Sequence, residues 1–323
     1  MQGKVSPERS AAIRVYVGID VCKAWLDVFL HPIGRQFRFA NSREGLKRLK
    51  RELANLEVVL IVMEATGKYH REAHRSLHAS GFIVAVVNPL RSRLFAEATG
   101  MLAKTDQLDA RILAVLAESL APKAKPPAPE ILEELQELVR AREAAVADLT
   151  ALSNQHSESK TAILRRELAR RIKATQASIA RLEAEIERRI ESDPALARRY
   201  LILLSIKGIG PVAAAALLVG LAELGVCSGK QVALLAGLAP VACDSGESRG
   251  ERHIKGGRGD VRAAIYMAAI TAARYNPDLC NFYRRLRNKG KKFKVAITAV
   301  MRKLVVLANT LIREDRLWQP THA

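Results

Sequence analysis

Val15-Tyr16-Val17-Gly18-Ile19-Asp20 and Val58-Val59-Leu60-Ile61-Val62-Met63-Glu64 are two apolar runs that each end on a carboxylate. A third stretch, Ala103-Lys104-Thr105-Asp106-Gln107-Leu108-Asp109-Ala110-Arg111, holds two aspartates three apart and reads as the start of a helix. The first run is rich in β-branched and aromatic residues, which favours a strand. The second is apolar throughout, as expected of a central strand covered on both faces. Carboxylates at the ends of neighbouring strands, facing a helix that offers two more, form an all-oxygen cage suited to Mg²⁺. Two such ions can clamp the attacking and leaving oxygens of a phosphodiester. Asp20, Glu64, Asp106 and Asp109 are therefore the expected metal ligands, with Mg²⁺ the expected cofactor. Taken singly, each would be a solvated surface group. Glu64 follows six apolar residues, however, and needs a partner or a metal. Asp27 and Glu97 are the nearest rivals and read as surface.

Around these runs, residues 14–120 follow an α/β pattern. Short β-rich segments at Val15–Ile19, Trp25–Leu30 and Gln36–Ala40 lie only a few residues apart, the last two separated by the turn-like His31-Pro32-Ile33-Gly34. That spacing predicts an antiparallel meander. A helix over Arg43–Leu53 leads into the Val58–Met63 strand, followed by a helix near Tyr69–Ala79, a strand at Phe82–Val87 and a segment started by Pro89. Three antiparallel strands and then helix–strand repeats is the order of an RNase H-like (RuvC-like) domain, expected over residues 11–120. It places Asp20 and Glu64 at adjacent strand ends.

Four prolines within 122–129 exclude helix and central strand, so 121–129 is expected to be a stiff linker. Residues 130–193 contain no Pro or Gly and keep apolar positions at helical spacing, among them Leu135, Leu138, Ile179, Leu182, Ile186 and Ile190. Long helices are expected there, as an antiparallel pair or an oligomerising coiled coil. Its 11 basic and 13 acidic residues nearly balance, which suits a spacer and an oligomer handle better than a polyanion contact. From residue 194 to 323 a second, mainly helical domain is expected. Within it, Ile206-Lys207-Gly208-Ile209-Gly210-Pro211 reads as a helix-hairpin-helix turn, whose glycines would let backbone N–H groups approach a DNA phosphate.

The whole chain of 323 residues carries 52 Lys and Arg against 33 Asp and Glu, a net charge of +19, which predicts a nucleic-acid partner. Between Arg249 and Lys303 there are 15 basic and three acidic residues, so the excess is concentrated in the last third. The cysteines (Cys22, Cys227, Cys243, Cys280) form no C-x-x-C pair, which argues against a zinc site and a disulfide framework. The polar Met1–Ser10 stretch lacks a signal-peptide core, and the apolar stretch near Val212–Leu224 is too short for a membrane span. A cytoplasmic, nucleoid-associated protein with no membrane partner is the expectation.

In the last third, Asp244-Ser245-Gly246 is followed by Arg249, Arg252, Lys255, Arg258 and Arg262. Such cations could depress a hydroxyl pKa and stabilise a pentavalent phosphate, which marks Ser245 as a candidate nucleophile, with Ser248 its competitor. A serine beside glycine is more often only a loop residue, and His253 is read as a phosphate contact. Further phosphate contacts are expected from Lys207, Gly208, Gly210, Arg284, Arg285, Lys291 and Lys292; with aromatics at only 5%, stacking should not dominate. On chemistry alone, three readings stay open: a strand-transfer enzyme, an endonuclease using water, and a catalytically silent nucleic-acid-binding protein.

These motifs resemble the DEDD transposases of the insertion-sequence-110 type, whose relatives include pilin-gene invertases. Beyond the carboxylate blocks, the matching pieces are Gly237-Leu238-Ala239-Pro240, Asp244-Ser245-Gly246, Gly256-Gly257-Arg258, Tyr266-Met267-Ala268-Ala269 and Met301-Arg302-Lys303-Leu304. The resemblance spans nearly the whole chain. It implies a recombinase that joins the carboxylates of one subunit to the serine of another and holds the cut strand as a phosphoserine ester. It also implies a guide (bridge) RNA encoded beside the element, which pairs with donor and target DNA, and a dimer or tetramer on DNA. By position, Asp20, Glu64, Asp106 and Asp109 would hold metal and Ser245 would attack.

Overall fold

The computed structural model describes residues 13–101, 106–241, 244–245, 248–250 and 252–320; for 106–108, 244–245 and 248–249 only the backbone is described. Two compact units divide the chain at Ala128 and Pro129.

The first unit is built on a five-stranded sheet of order β3-β2-β1-β4-β5. Strands β1 (Arg14–Val21), β2 (Trp25–His31) and β3 (Arg35–Ala40) form the expected antiparallel meander. β4 (Glu57–Glu64) and β5 (Val84–Val87) join in parallel through right-sized helical crossovers, α1 (Arg43–Leu53) and α2 (His70–Ala79). Then come α3 (Pro89–Ala98) and α4 (Asp106–Leu120). The antiparallel meander and the adjacency of β1 and β4 are as the order of the β-rich runs predicts.

Side-chain alternation sorts the two faces. Val15, Val17, Ile19 and Val21 of β1, with Ile61 and Met63 of β4, pack on Leu46, Leu49 and Leu53 of α1 and on Ala73 and Leu77 of α2. Leu60 and Val62 of β4 face the other way, against Leu113, Leu116 and Ala117 of α4, with Tyr16 beside them. Gly18 is what lets α4 lie flush on β1. A Cβ there would sit 2.0 Å from the Ala110 carbonyl oxygen and 2.4 Å from the Ala114 nitrogen. Glycine is required by contact at this position, not by backbone angle.

The second unit is helical. α5 (Glu130–Glu158) and α6 (Ala162–Glu191) form an antiparallel hairpin, as ion pairs Arg189–Glu134 and Arg142–Glu183 show. Its base shares a core with the rest of the unit: Leu135, Ile186 and Ile190 pack with α7 (Pro194–Ser205), α8 (Pro211–Gly220), α10 (Gly259–Tyr275) and α12 (Phe293–Arg313). The charge-balanced hairpin is thus structurally continuous with the C-terminal helices. α9 (Gly229–Leu235) and α11 (Pro277–Asn288) complete the helices described. The longest apolar helix is α12 rather than the Val212–Leu224 stretch. By length and composition α12 could cross a membrane, but Ile297, Val300, Met301, Leu304, Val305 and Leu311 are buried in this core.

Candidate active site and nucleic-acid surface

Parallel pairing of β1 and β4 runs to Ile19 opposite Met63, so Asp20 and Glu64 are the next residues on neighbouring strands. Alternation puts both on the α4 face, since Gly18 meets Ala110 and Leu60 and Val62 meet α4. The direction of α4 is set by two contacts. Gly18 lies against Ala110–Ala114, whereas His31, paired with Tyr16 one step back along β1, bonds Glu118 at 2.9 Å. α4 therefore runs against β1, and its first turn, bearing Asp109, lies toward the Asp20 end. The Asp106 side chain lies outside the described residues. Among the described residues, no group of three or more His, Cys, Asp and Glu side chains is close enough together to hold a metal. Asp20 and Glu64 offer hard carboxylate oxygens on one face of the sheet, a chemistry that would suit a hard divalent cation.

The register adds a residue that sequence reasoning set aside. Asp20 is the cross-strand partner of Asp27, and Asp27 is the partner of Arg38. One line across the sheet thus reads Arg38, Asp27, Asp20, Glu64. Asp27 is not a surface group; it is 5% exposed and takes a bidentate ion pair from Arg38, Nε to Oδ1 at 2.7 Å and Nη2 to Oδ2 at 3.0 Å. Its burial was illegible because Asp27 occurs mid-strand among apolar residues whose inward face only the register defines. Glu97, by contrast, is exposed and pairs with Arg93 one helical turn away.

Ser92 is a second residue missed. It is 3% exposed on α3, and its hydroxyl donates to Glu64 Oε1 while also lying 3.0 Å from the Pro89 carbonyl. Asn88 starts that helix by accepting from the Leu90 N–H at 2.8 Å, with Pro89 at its first position. A serine three residues past a proline carries no motif, so nothing in the sequence singled it out. Asp20 Oδ1 accepts from the Val21 N–H at 2.9 Å.

In the second unit, Ser245 sits on a nested β-ribbon. β6 (Pro240–Val241) pairs β9 (His253–Ile254), and within it β7 (Asp244–Ser245) pairs β8 (Ser248–Arg249), with Ser245 opposite Ser248. The side chains of Ser245, Ser248 and Arg249 lie outside the described residues. The base of the ribbon is a backbone-to-backbone crossing: a Cβ on Gly257 would meet Gly237 N at 2.2 Å, and both glycines have positive φ (71° and 67°).

The cations predicted to meet phosphate divide into two groups. Arg252, Lys255, Arg284, Arg285, Lys291, Lys292 and Lys207 are exposed. Arg258 is instead held by Glu223 in a bidentate pair (2.7 and 2.8 Å) and by the Gly220 carbonyl at 2.8 Å, and Arg262 donates to the Gly256 carbonyl at 2.8 Å. These two arginines brace the ribbon's root, so their first engagement is with the protein. Lys207, Gly208 and Gly210 form the turn between α7 and α8. Gly208 (φ 112°) packs so closely on α10 that a Cβ would fall 2.5 Å from that of Ala272. Gly210, at the start of α8, faces open space. The buried Asn276 amide donates to the Lys207 carbonyl at 3.3 Å and also caps α11, fixing the turn relative to the basic helix.

Comparison with known proteins completes the picture. A model described as a transposase, DEDD_Tnp_IS110, matches residues 17–159, and one described as transposase of the IS116/IS110/IS902 family matches 200–284. Pilin gene-inverting proteins of Moraxella bovis and Moraxella lacunata are each 29% identical over 314 residues, covering 94% of this chain and 97% of theirs. The chain is thus a DNA-processing enzyme, a transposase with an RNase H-like N-terminal domain. It belongs to the IS110 family.

Proposed function

We propose that this transposase cuts and rejoins DNA through a composite site: the carboxylates of the sheet and the hydroxyl of Ser245. The observation that carries the reading is the line Arg38, Asp27, Asp20, Glu64 across one face of the sheet, with the first turn of α4 directed to its end. Like charges directly opposite one another on a sheet are destabilising. Arg38 neutralises Asp27; Asp20, Glu64, Asp106 and Asp109 would hold divalent cations, Mg²⁺ by donor hardness. When bound, such ions polarise the phosphodiester and stabilise charge on its attacking and leaving oxygens. Ser92 holds the Glu64 carboxylate in place, and Asp27 and Arg38 fix the row beside it.

Ser245 would supply the nucleophile. Its Oγ forms a bond to phosphorus, the bond from phosphorus to the leaving deoxyribose oxygen breaks, and the hydroxyl proton passes to that oxygen. The resulting phosphoserine ester conserves the energy of the bond for rejoining. Carboxylates of one subunit and the serine of another would meet on DNA, which makes the enzyme a dimer or tetramer; the exposed Ile163 and Leu164 at the tip of the α5–α6 hairpin suit a helical oligomer contact. Arg252, Lys255, Arg284, Arg285, Lys291 and Lys292 would bind backbone phosphates, and the α7–α8 turn would act as a helix-hairpin-helix. The same cations suit a guide RNA transcribed beside the element, which would read donor and target by base pairing.

The test is cleavage of the element's own end DNA by protein stripped of metal and resupplied with Mg²⁺, in the presence of RNA from the flanking sequence. Asp20→Asn and Glu64→Gln should each abolish cleavage while retaining DNA binding. Metal-independent cleavage, or full activity in both variants, would refute the reading.

A further inference from the structure

Trp25 opens β2 on the carboxylate face of the sheet. It precedes Asp27 by two positions on β2, so the two point the same way, and Phe29, two further on, is buried under Ala110 and Ala114 of α4. Two residues along a strand is about 7 Å, which sets Trp25 one step beyond the Asp20–Asp27 pair. Yet Trp25 is 45% exposed. The chain's other tryptophan, Trp318, packs against the core of the second unit.

The surroundings of Trp25 are rigid and cationic. The Cys22 N–H donates to the Trp25 carbonyl at 3.0 Å, the Trp25 N–H meets Cys22 Sγ at 3.2 Å, and the Asn41 N–H donates to the Ala24 carbonyl at 2.9 Å. The Asn41 side-chain amide then bridges two loops, donating to the Cys22 carbonyl at 2.9 Å and to the Tyr69 carbonyl at 3.2 Å. The second of those loops leads directly from Glu64. Asn41 therefore ties the turn that presents Trp25 to the loop that presents Tyr69, itself 37% exposed. Lys23 and Lys68, one in each loop, are exposed as well. Aromatic faces interleaved with ammonium groups are the means by which proteins hold single-stranded nucleic acid: bases stack and phosphates pair. A base inside a duplex has no free face to offer.

We propose that Trp25, flanked by Lys23, Lys68 and Tyr69, is a stacking platform for an unpaired base of the DNA strand that is cut at the carboxylates. This rests on the carboxylate reading above and deepens it: the scissile strand would enter the site locally melted, with one base on the indole. Trp25 is then a positioning residue for the strand, placed by a turn that Asn41 locks.

The full-length protein carrying Asp20→Asn and Trp318→Phe, in EDTA, leaves Trp25 as the sole tryptophan with cleavage switched off. Titration with a single-stranded DNA oligonucleotide should quench its emission, and the matching duplex should quench it far less. In the same background Trp25→Ala should weaken single-strand affinity, read by anisotropy of a labelled oligonucleotide, by roughly tenfold. Trp25→Phe should restore it to within a few-fold, and duplex affinity should change in neither. Unquenched emission with the single strand demonstrably bound, equal affinity in Trp25→Ala, or stronger quenching by duplex or by RNA would each overturn the platform. Should Trp25→Ala fail to fold, the quenching titration and the Phe variant decide alone. Failure of the carboxylate reading is seen separately, as cleavage by the Asp20→Asn protein in Mg²⁺.

Discussion

Asp20 and Asp27 stand directly opposite each other on β1 and β2, and the Arg38 guanidinium on β3 clamps Asp27. Side chains at such positions have Cβ atoms roughly 4.5–5.5 Å apart, close enough for repulsion to cost stability. Arg38 offsets this from the far strand by clamping Asp27. Arg38→Ala would leave a buried carboxylate without that ion pair. Because the Arg38 side chain is about half exposed, solvent screens the pair, and the expected loss is about 1–2 kcal/mol rather than the larger cost of a fully buried pair. Chemical denaturation checks this, and adding Asp27→Asn to Arg38→Ala should recover part of the loss.

Ser92 governs Glu64 from beneath. Ser92→Ala removes the hydroxyl that donates to Glu64 Oε1 while leaving the fold's apolar contacts intact. Losing an outer hydrogen bond to a ligating carboxylate commonly costs about 10–100-fold in metal affinity or activity. The variant should need more Mg²⁺ for half-maximal cleavage, with a melting temperature close to that of the parent.

Gly18 carries the α4–β1 contact. A methyl group there would fall on the backbone of Ala110 and Ala114, which cannot step aside without moving the helix that bears Asp109. Gly18→Ala is expected to destabilise the protein by roughly 2–3 kcal/mol and, by displacing the helix that bears Asp109, to abolish cleavage. Thermal unfolding with an activity assay on the same sample measures both.

Gly237 and Gly257 bring the two strands of the Ser245 ribbon together at its root. Gly257→Ala would force apart two backbones now in contact and would strain a positive-φ position. Gly237 lies between the core residues Ala236 and Leu238, so some stability should be lost with the ribbon's geometry, while melting should remain cooperative. Because the Ser245 hydroxyl makes the cut, both cleavage and rejoining of DNA should be lost, with DNA binding retained.

Much of this was legible in the chain itself. The β-rich runs and their short spacing predicted the antiparallel meander, because turn length fixes its register locally, and the RNase H-like order of the elements put Asp20 and Glu64 at adjacent strand ends. What escaped was set by tertiary contact. The burial of Asp27 depends on which face of β2 meets α4, and Ser92 reaches Glu64 only because α3 returns over the end of β4. Likewise Arg258 reads as a phosphate ligand in a basic run, but its partner Glu223 comes from a segment 35 residues earlier. Charge counts see the cation and not the acid that folds onto it.

The phosphoserine link is the central claim, and trapping it is the most direct measurement. End DNA, flanking-sequence RNA, protein and Mg²⁺ are quenched in denaturant, and any DNA–protein adduct is digested and mapped by mass spectrometry. The account predicts an adduct on Ser245 that disappears with EDTA, in Ser245→Ala and in Asp20→Asn. Free DNA ends with no adduct, produced equally well by Ser245→Ala, would contradict it.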